Sequence, residues 1–284
     1  MTRETLQDVQ EYYGKVLESN EDLKTSACCP STAPPEHIKQ LLKNIHESIQ
    51  SKFYGCGSPI PTALEGCRVL DLGCGTGRDA YILSQLVGES GSVIGVDMTN
   101  EQLTVANQYV GWHMDKFGYR KPNVEFIHGY IEDLVQAGIE DNSIDLVVSN
   151  CVINLSPDKE AVFSEIIRVL KPGGELFFSD VFSGRRIPEH LKKDKILYGE
   201  CLAGAIYQED FRRLMTGLGI PDVRVLEKRL LELEDAELLK KAGMIDFYSM
   251  TVRAFKVAMD DICEDFGHVA YYFGGIAEEP HRFI

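Results

Sequence analysis

The chain has 284 residues, of which 44% are hydrophobic and 26% are charged, and its formal net charge is −15. This length suits one large domain with appendages or two domains, with a sizeable buried core. The acidic balance, without a run of Lys or Arg, argues against nucleic-acid binding. No apolar stretch approaches the ~18 residues of a membrane span, and the N-terminus lacks signal- or transit-peptide features. We therefore expect a cytoplasmic monomer that binds neither nucleic acid nor membranes.

The elements predicted along the chain change character twice. Two helices come first, over residues 1–24 and about 36–52, with a loop rich in Ser, Thr and Pro between them. Over residues 67–182, five nearly uniformly apolar strands alternate with helices, which predicts a parallel sheet covered by helices on both faces. Beyond them we expect a helical insertion over 185–205, a helix over 207–220 and two strands over 222–233 and 244–257.

The most informative motif is VLDLGCGTGRD, which follows the first strand of the alternating region. Its GxGxG spacing differs from the GxGxxG of dinucleotide-binding folds, and Asp71 does not belong to that fingerprint. The segment resembles the first motif of class I S-adenosylmethionine-dependent methyltransferases. This resemblance implies an α/β, Rossmann-like and mostly parallel sheet, here with an N-terminal helical arm and a C-terminal extension. It also implies S-adenosylmethionine as the cofactor, whose carboxylate Arg78 could pair with.

Residues at the ends of the next strands complete a predicted cofactor site. Asp97 ends the second strand, where a carboxylate can accept both ribose hydroxyls, and Met98 beside it can pack on the adenine. Ile131 can flank the adenine ring, and Glu132 can accept from its amino group. Asn150 ends the fourth strand, so its carbonyl would lie near the sulfonium. The predicted cofactor-binding set is Asp71, Gly73, Cys74, Gly75, Gly77, Arg78, Asp97, Met98, Ile131, Glu132 and Asn150.

The chain contains eight cysteines, and one of them stands where a transfer reaction would take place. No CxxC pair or zinc-finger spacing occurs, and permanent disulfides are not expected in a cytosolic protein. Cys151 follows the fourth strand, at the edge where such sheets bind ligands. A thiol is a poor general base but a strong ligand for soft metals and metalloids. An acceptor with its own lone pair needs to be held rather than deprotonated, and trivalent arsenic fits that requirement.

At this point the chain resembles the arsenite methyltransferases over most of its length. The most specific segments are YGCG (54–57), HGYIE (128–132), SNCVINL (149–155) and GECL (199–202). In that family, cysteines matching Cys151 and Cys201 bind the arsenic, and cysteines matching Cys56 and Cys28 complete a set of four. Cys29, adjacent to Cys28, is the alternative at that position. The resemblance therefore implies four catalytic thiols, Cys28, Cys56, Cys151 and Cys201, of which the last three are arsenic ligands.

Redox chemistry explains why four thiols are useful. Each transfer uses the arsenic lone pair and formally gives pentavalent arsenic, and a dithiol can return two electrons by becoming a disulfide. Cys151 and Cys201 would hold the arsenic, and Cys28 and Cys56 would serve as third ligand or reductant. Thioredoxin or glutathione would then reset the enzyme. The other cysteines are expected to be inert, either buried in the core or without a motif.

The predicted organisation is an N-terminal helical arm over 1–52, a cofactor-binding core over 53–183 and an acceptor-binding insertion with the C-terminal region over 184–284. Two other functions stay open from the residues alone. One is a class I methyltransferase acting on an organic molecule such as a quinone or a sterol. The other is a non-catalytic thiol-metal sensor that has kept the cofactor fold.

Overall fold

The computed structural model describes residues 34–51, 55–194, 197–198, 201–233, 236–259 and 271–273, together with Gln10, Gly267 and Val269. A single sheet runs through this part of the chain. Its strands are β1 (Arg68–Leu72), β2 (Ser92–Asp97), β3 (Val124–His128), β4 (Ile144–Asn150), β5 (Leu170–Ser183), β6 (Ile206–Tyr207), β7 (Val223–Leu230) and β8 (Phe247–Phe255). The helices are α1 (Glu36–Leu42), α2 (Glu47–Gln50), α3 (Arg78–Val87), α4 (Asn100–Gln108), α5 (Val110–Phe117), α6 (Lys159–Val169), α7 (Gln208–Gly217) and α8 (Ala236–Ala242).

The strand order is β3-β2-β1-β4-β5-β8-β7, and the short β6 pairs with β5. Strands β1 to β6 are parallel to one another, whereas β8 is antiparallel to both β5 and β7. The mostly parallel α/β sheet predicted from the sequence is therefore confirmed. The sheet continues beyond residue 183 through β7 and β8, and the proposed boundary at that residue stays a prediction.

Alternate residues of the central strands supply two separate cores, one on each face of the sheet. Leu70 and Leu72 of β1 lie in the cluster that packs against α6 and α7, whereas Val69 lies in the cluster under α1, α2 and α3. In β4, Val147 lies in the first of these clusters and Val148 lies in the second. Because neighbouring side chains of a strand point to opposite faces, a fully apolar strand requires cover on both sides.

Two of the expected helices are interrupted. The helix expected over about 36–52 is divided into α1 and α2, because His46 is extended and its Nδ1 accepts a hydrogen bond from the backbone N–H of Ser48. The helix expected between the second and third strands of the alternating region is divided at Tyr109 into α4 and α5. The His46 and Tyr109 rings stack with centroids 4.1 Å apart, so the two interruptions contact each other.

The helical insertion expected over 185–205 stays a prediction, because residues 195, 196, 199 and 200 lie outside the part that the structure describes. The described residues of that range are not all helical. They form mainly turns, with helical geometry at Leu197 and Tyr198. Leu191, Leu197 and Leu202 are nonetheless all buried. Their burial shows that the described parts of this segment pack against the rest of the protein. Among the described residues, no helix is long and apolar enough to cross a membrane.

Candidate active site

A cleft opens at the carboxyl ends of β1, β2 and β4, where doubly wound sheets bind their ligands. Its empty volume, which includes space open to solvent, is about 980 Å³. Sequence-predicted cofactor residues on its wall are Asp71, Gly73, Cys74, Gly75, Arg78, Asp97, Met98, Ile131, Glu132 and Asn150. The structure thus brings nearly the whole predicted set to one place.

The glycine loop between β1 and α3 needs glycine at three positions. Gly73, Gly75 and Gly77 all have positive φ, at 68°, 54° and 90°, a region that other residues rarely adopt. A Cβ on Gly75 would meet nothing within 4 Å, whereas one on Gly73 would overlap the side chain of Val152. Gly77 is absent from the cleft lining, and a Cβ there would lie 2.6 Å from the ring of Phe126. The role of Gly77 in the structure is therefore to begin α3.

Two carboxylates on the wall have different tasks. Asp97 fixes the loop, because its Oδ2 accepts from Gly75 N at 2.9 Å and its Oδ1 accepts from Thr99 N at 2.8 Å. Asp71 is 3% exposed, and its Oδ2 has no hydrogen-bond partner within the described part of the chain. Burial, followed by repulsion from Asp79 and Asp97, raises the pKa of Asp71 well above its usual value. An acidic wall with an unpaired oxygen favours a cationic ligand.

Asn150, at the end of β4, joins this cleft to the segment that carries Cys56. Its Oδ1 accepts from Cys56 N at 3.0 Å and from Gly57 N at 3.2 Å. Its Nδ2 donates to Gly57 O at 3.0 Å and to Asp79 Oδ2 at 2.9 Å. Ser249 of β8 holds the same segment from the other side, donating to Cys56 O at 3.0 Å. From the sequence, only the backbone carbonyl of Asn150 was predicted to have a role, and this use of its side-chain amide was not.

Three of the four predicted thiols meet at the edge of the cleft. Cys56 and Cys151 form a disulfide, with Cα atoms 5.7 Å apart, and Cys151 also lines the cleft. Cys201 is fully buried and lies outside this disulfide, and its Sγ lies 3.5 Å from the carbonyl oxygen of Cys151. Cys28 and the alternative Cys29 lie outside the described residues.

Close contacts join the loop that carries Cys151 to the loop that carries Cys201. Cys151 and Cys201 have positive φ values of 60° and 61°, which costs free energy in a residue other than glycine and is typical of functional sites. A Cβ on Gly204 would overlap the carbonyl oxygen of Asn154, so the backbones touch at this point. Tyr198 Oη donates to Leu155 O at 3.1 Å. These contacts fix the position of Cys201 relative to Cys151 although the two residues are far apart in sequence.

The cysteines belong to a buried cluster that is otherwise apolar, which we call the cysteine cluster. Its members are Cys56, Cys151, Leu155, Val181, Ile187, Leu191, Leu197, Cys201, Leu202, Ala203, Ala205, Leu231, Leu238, Ala242 and Phe247. Two ionisable groups border it. Burial raises the pKa of Asp180 to about 7 and lowers the pKa of Lys159 to about 8. The Lys159 ammonium donates to Ser156 O at 2.9 Å and to Asn154 O at 3.3 Å.

Comparison with known proteins decides between the open alternatives. A family model described as a methyltransferase domain matches residues 63–219. The arsenite methyltransferase of Aquipseudomonas alcaligenes is 50% identical over 279 residues, which cover 98% of this chain and 80% of that protein. The arsenite methyltransferase of Mus musculus is 48% identical over 278 residues, which cover 98% of this chain and 73% of that protein. The chain belongs to the arsenite methyltransferase family.

A solved structure agrees with this family assignment. The crystal structure of an arsenic(III) S-adenosylmethionine methyltransferase from Chlamydomonas reinhardtii superimposes with a TM-score of 0.79 at 49% identity. The match covers 89% of this chain and 87% of that one. Both the class I methyltransferase fold and the enzyme class predicted from the sequence are therefore confirmed.

The cofactor of this methyltransferase, S-adenosylmethionine, suits the chemistry of the cleft. Its sulfonium and ammonium groups are cationic, and the wall offers the unpaired Oδ2 of Asp71 with Asp79 and Asp97 close by. The open side of Gly75 lets a ligand approach the backbone. Glu132 has one oxygen already engaged, because its Oε1 accepts from Ser156 Oγ at 2.5 Å. Glu132 Oε2 is therefore the oxygen that we predict to accept from the adenine amino group.

Several residues of this arsenite methyltransferase were missed by the sequence analysis. Asp79 directly follows the GTGR turn, and Asp180 lies in SDVF, near the end of β5. A polar residue at the carboxyl end of a buried strand is a usable signal, and it was applied to Asn150 but not to Asp180. No comparable signal points to Thr99 or Gln102, which line the cleft only because the β2–α4 turn folds toward it.

Proposed function

We propose that the protein transfers methyl groups from S-adenosylmethionine to trivalent arsenic, either arsenite or methylarsenite, held by cysteine thiolates. The methylated arsenicals that result would serve detoxification. The observation that carries the proposal is that Cys56, Cys151 and Cys201 share one buried cluster and that Cys151 also lines the cofactor cleft. Thiolates are preferred ligands of soft metalloids, and three cysteines in one buried cluster therefore suit a metalloid acceptor.

The cofactor, when bound, supplies an electrophilic methyl group on a sulfonium. The acidic wall of Asp71, Asp79 and Asp97 favours that positive charge, and Asn150 fixes the Cys56 segment against it. Cys151 belongs to both the cleft and the cysteine cluster, so an arsenic atom on its sulfur would face the methyl donor. The arsenic lone pair is then the nucleophile, and no proton has to be removed from the acceptor.

The disulfide between Cys56 and Cys151 is consistent with the redox part of the proposal. Two thiols that become a disulfide release two electrons and two protons, which can return pentavalent arsenic to the trivalent state. An external thiol must then reduce the bond, and we propose thioredoxin or glutathione for that step. We also propose that the enzyme works as a monomer in the cytoplasm, where reducing conditions keep such thiols available.

One assay tests the proposed function. The reduced protein is incubated with arsenite, labelled S-adenosylmethionine and a thiol reductant, and methylated arsenicals are separated by chromatography. We expect labelled methylarsenicals from the natural sequence and none from Cys151→Ser. Transfer of label to a quinone or sterol without any methylated arsenic would show that the acceptor is organic and the proposal wrong.

A further inference from the structure

Asp180 is a buried carboxylate beside the thiols. It lies near the end of β5 and is 1% exposed. One of its carboxylate oxygens and the Sγ atoms of Cys56 and Cys151 all lie within 4.8 Å of one another. The proposed methyl transfer assigns no role to this carboxylate.

Backbone groups hold the Asp180 carboxylate in a fixed orientation. Oδ2 accepts from Asn154 N at 3.1 Å, and Oδ1 accepts from Val181 N at 2.8 Å. The backbone of Ile153 also donates to this carboxylate. A carboxylate has about four acceptor positions, so these three bonds leave capacity for one more donor. Burial of such a group is unfavourable unless its oxygens are bonded, and the buried Lys159 ammonium supplies only a nearby charge.

The chemistry of arsenite provides a donor. Arsenite carries three hydroxyl groups, and each As–S bond replaces one As–O bond while the thiol proton leaves with the hydroxide as water. Arsenic attached to two thiolates therefore keeps one hydroxyl. Because the neighbours in the cysteine cluster are apolar, such as Val181, Leu197 and Leu202, that hydroxyl needs a polar partner when it is buried.

We propose that Asp180 belongs to the acceptor site and accepts a hydrogen bond from an arsenic-bound hydroxyl while two thiolates hold the arsenic. This inference rests on the proposed function and adds a preference to it. Methylarsenite has one hydroxyl fewer, so after two As–S bonds none remains for Asp180. The contact therefore assists arsenite and leaves methylarsenite unaffected.

The variant Asp180→Asn separates these cases because it keeps the size of the side chain and weakens the acceptor. We expect KM for arsenite to rise about tenfold or more, the effect of losing one hydrogen bond to a charged group, with methylarsenite kinetics unchanged within about twofold. Asp145→Asn is the matched control, since Asp145 also accepts from a backbone N–H, that of Arg68, but stands away from the cysteine cluster. Equal losses on both arsenicals, or no loss on arsenite, would overturn the inference.

Two further measurements keep the test decisive. If Asp180→Asn does not fold, the Cys56→Ser enzyme is loaded with one equivalent of arsenite and studied by arsenic-edge X-ray absorption. One oxygen neighbour per arsenic is expected, and an all-sulfur shell would contradict a hydroxyl contact. If the unmodified enzyme methylates neither arsenical, then the proposed function has failed rather than the assignment of Asp180.

Discussion

Asn150 and Asp79 are joined by a hydrogen bond of 2.9 Å that connects the cofactor cleft to the segment carrying Cys56. The amide of Asn150 also accepts from the backbone N–H groups of Cys56 and Gly57. One side chain thus touches the wall that faces the methyl donor and the backbone of a thiol at the acceptor site. The relative position of the cofactor cleft and the Cys56 segment depends on this side chain.

Replacing Asn150 with Asp should break the connection between the cofactor cleft and the Cys56 segment. Asn150→Asp keeps the acceptor but loses the donor to Asp79 and places two carboxylates next to each other, which costs roughly 2–3 kcal/mol. We expect kcat/KM for arsenite to fall about 10–100-fold, with faster labelling of Cys56 and Cys151 after reduction, because displacement exposes thiols that are otherwise buried. Ser149→Ala is the control, because Ser149 bonds only Leu72 O in the described structure and should keep normal activity. Unchanged kinetics in Asn150→Asp would refute the coupling.

Serine substitutions test how the thiols divide their work. Cys151→Ser and Cys201→Ser should abolish arsenic binding, because a hydroxyl is a weak ligand for a soft metalloid. Cys28→Ser or Cys56→Ser should spare methylation of methylarsenite better than methylation of arsenite. Arsenic stoichiometry by mass spectrometry and product analysis on both acceptors give the readout, with Cys67→Ser as a control outside the site. The division of labour is wrong if all four variants lose both activities equally.

Gly204 should be intolerant of a side chain. The extra methyl of Gly204→Ala overlaps the carbonyl oxygen of Asn154, so the Cys201 loop must move away from the Cys151 loop. We expect a destabilisation of about 1–3 kcal/mol, measured by denaturant unfolding, together with weaker arsenic binding. At Gly217, near the end of α7, a Cβ meets nothing within 4 Å, so Gly217→Ala should be neutral or slightly stabilising. Similar effects at both positions would argue against close packing of the loops.

Asp71 should lower the stability of the cofactor-free enzyme near neutral pH and strengthen its binding of the cofactor. Its raised pKa means that the folded protein takes up a proton more readily than the unfolded chain, so this group adds stability as pH falls from neutrality. Asp71→Asn removes a buried, repelled charge and should raise the melting temperature of the cofactor-free enzyme at pH 7.5. The same variant should weaken S-adenosylmethionine binding about tenfold by calorimetry, since a countercharge is lost. A lower melting temperature with unchanged affinity would contradict this interpretation.

Local sequence signals predicted the sheet and most of the cleft because each depends on adjacent residues. The apolar strands, the left-handed glycines and the acids after strand ends are all properties of short segments. The same signals failed over 36–52, where the extended conformation of His46 interrupts a helical pattern. Over 185–205 the outcome for the described residues is mixed, because Leu197 and Tyr198 are helical whereas Leu191 and Leu202 lie in a turn and a bend.

The sequence by itself determined the α/β alternation, the cofactor loop and the identity of the thiols. Only the tertiary structure decided that Cys56 and Cys151, 95 residues apart, form a bond. It also decided that the amide of Asn150 anchors the Cys56 segment and that Asp180 is buried beside the sulfurs. The physical reason is that periodicity and turn chemistry act within a few residues. Contacts between distant segments arise only when strands that end at the same edge of the sheet bring their loops together.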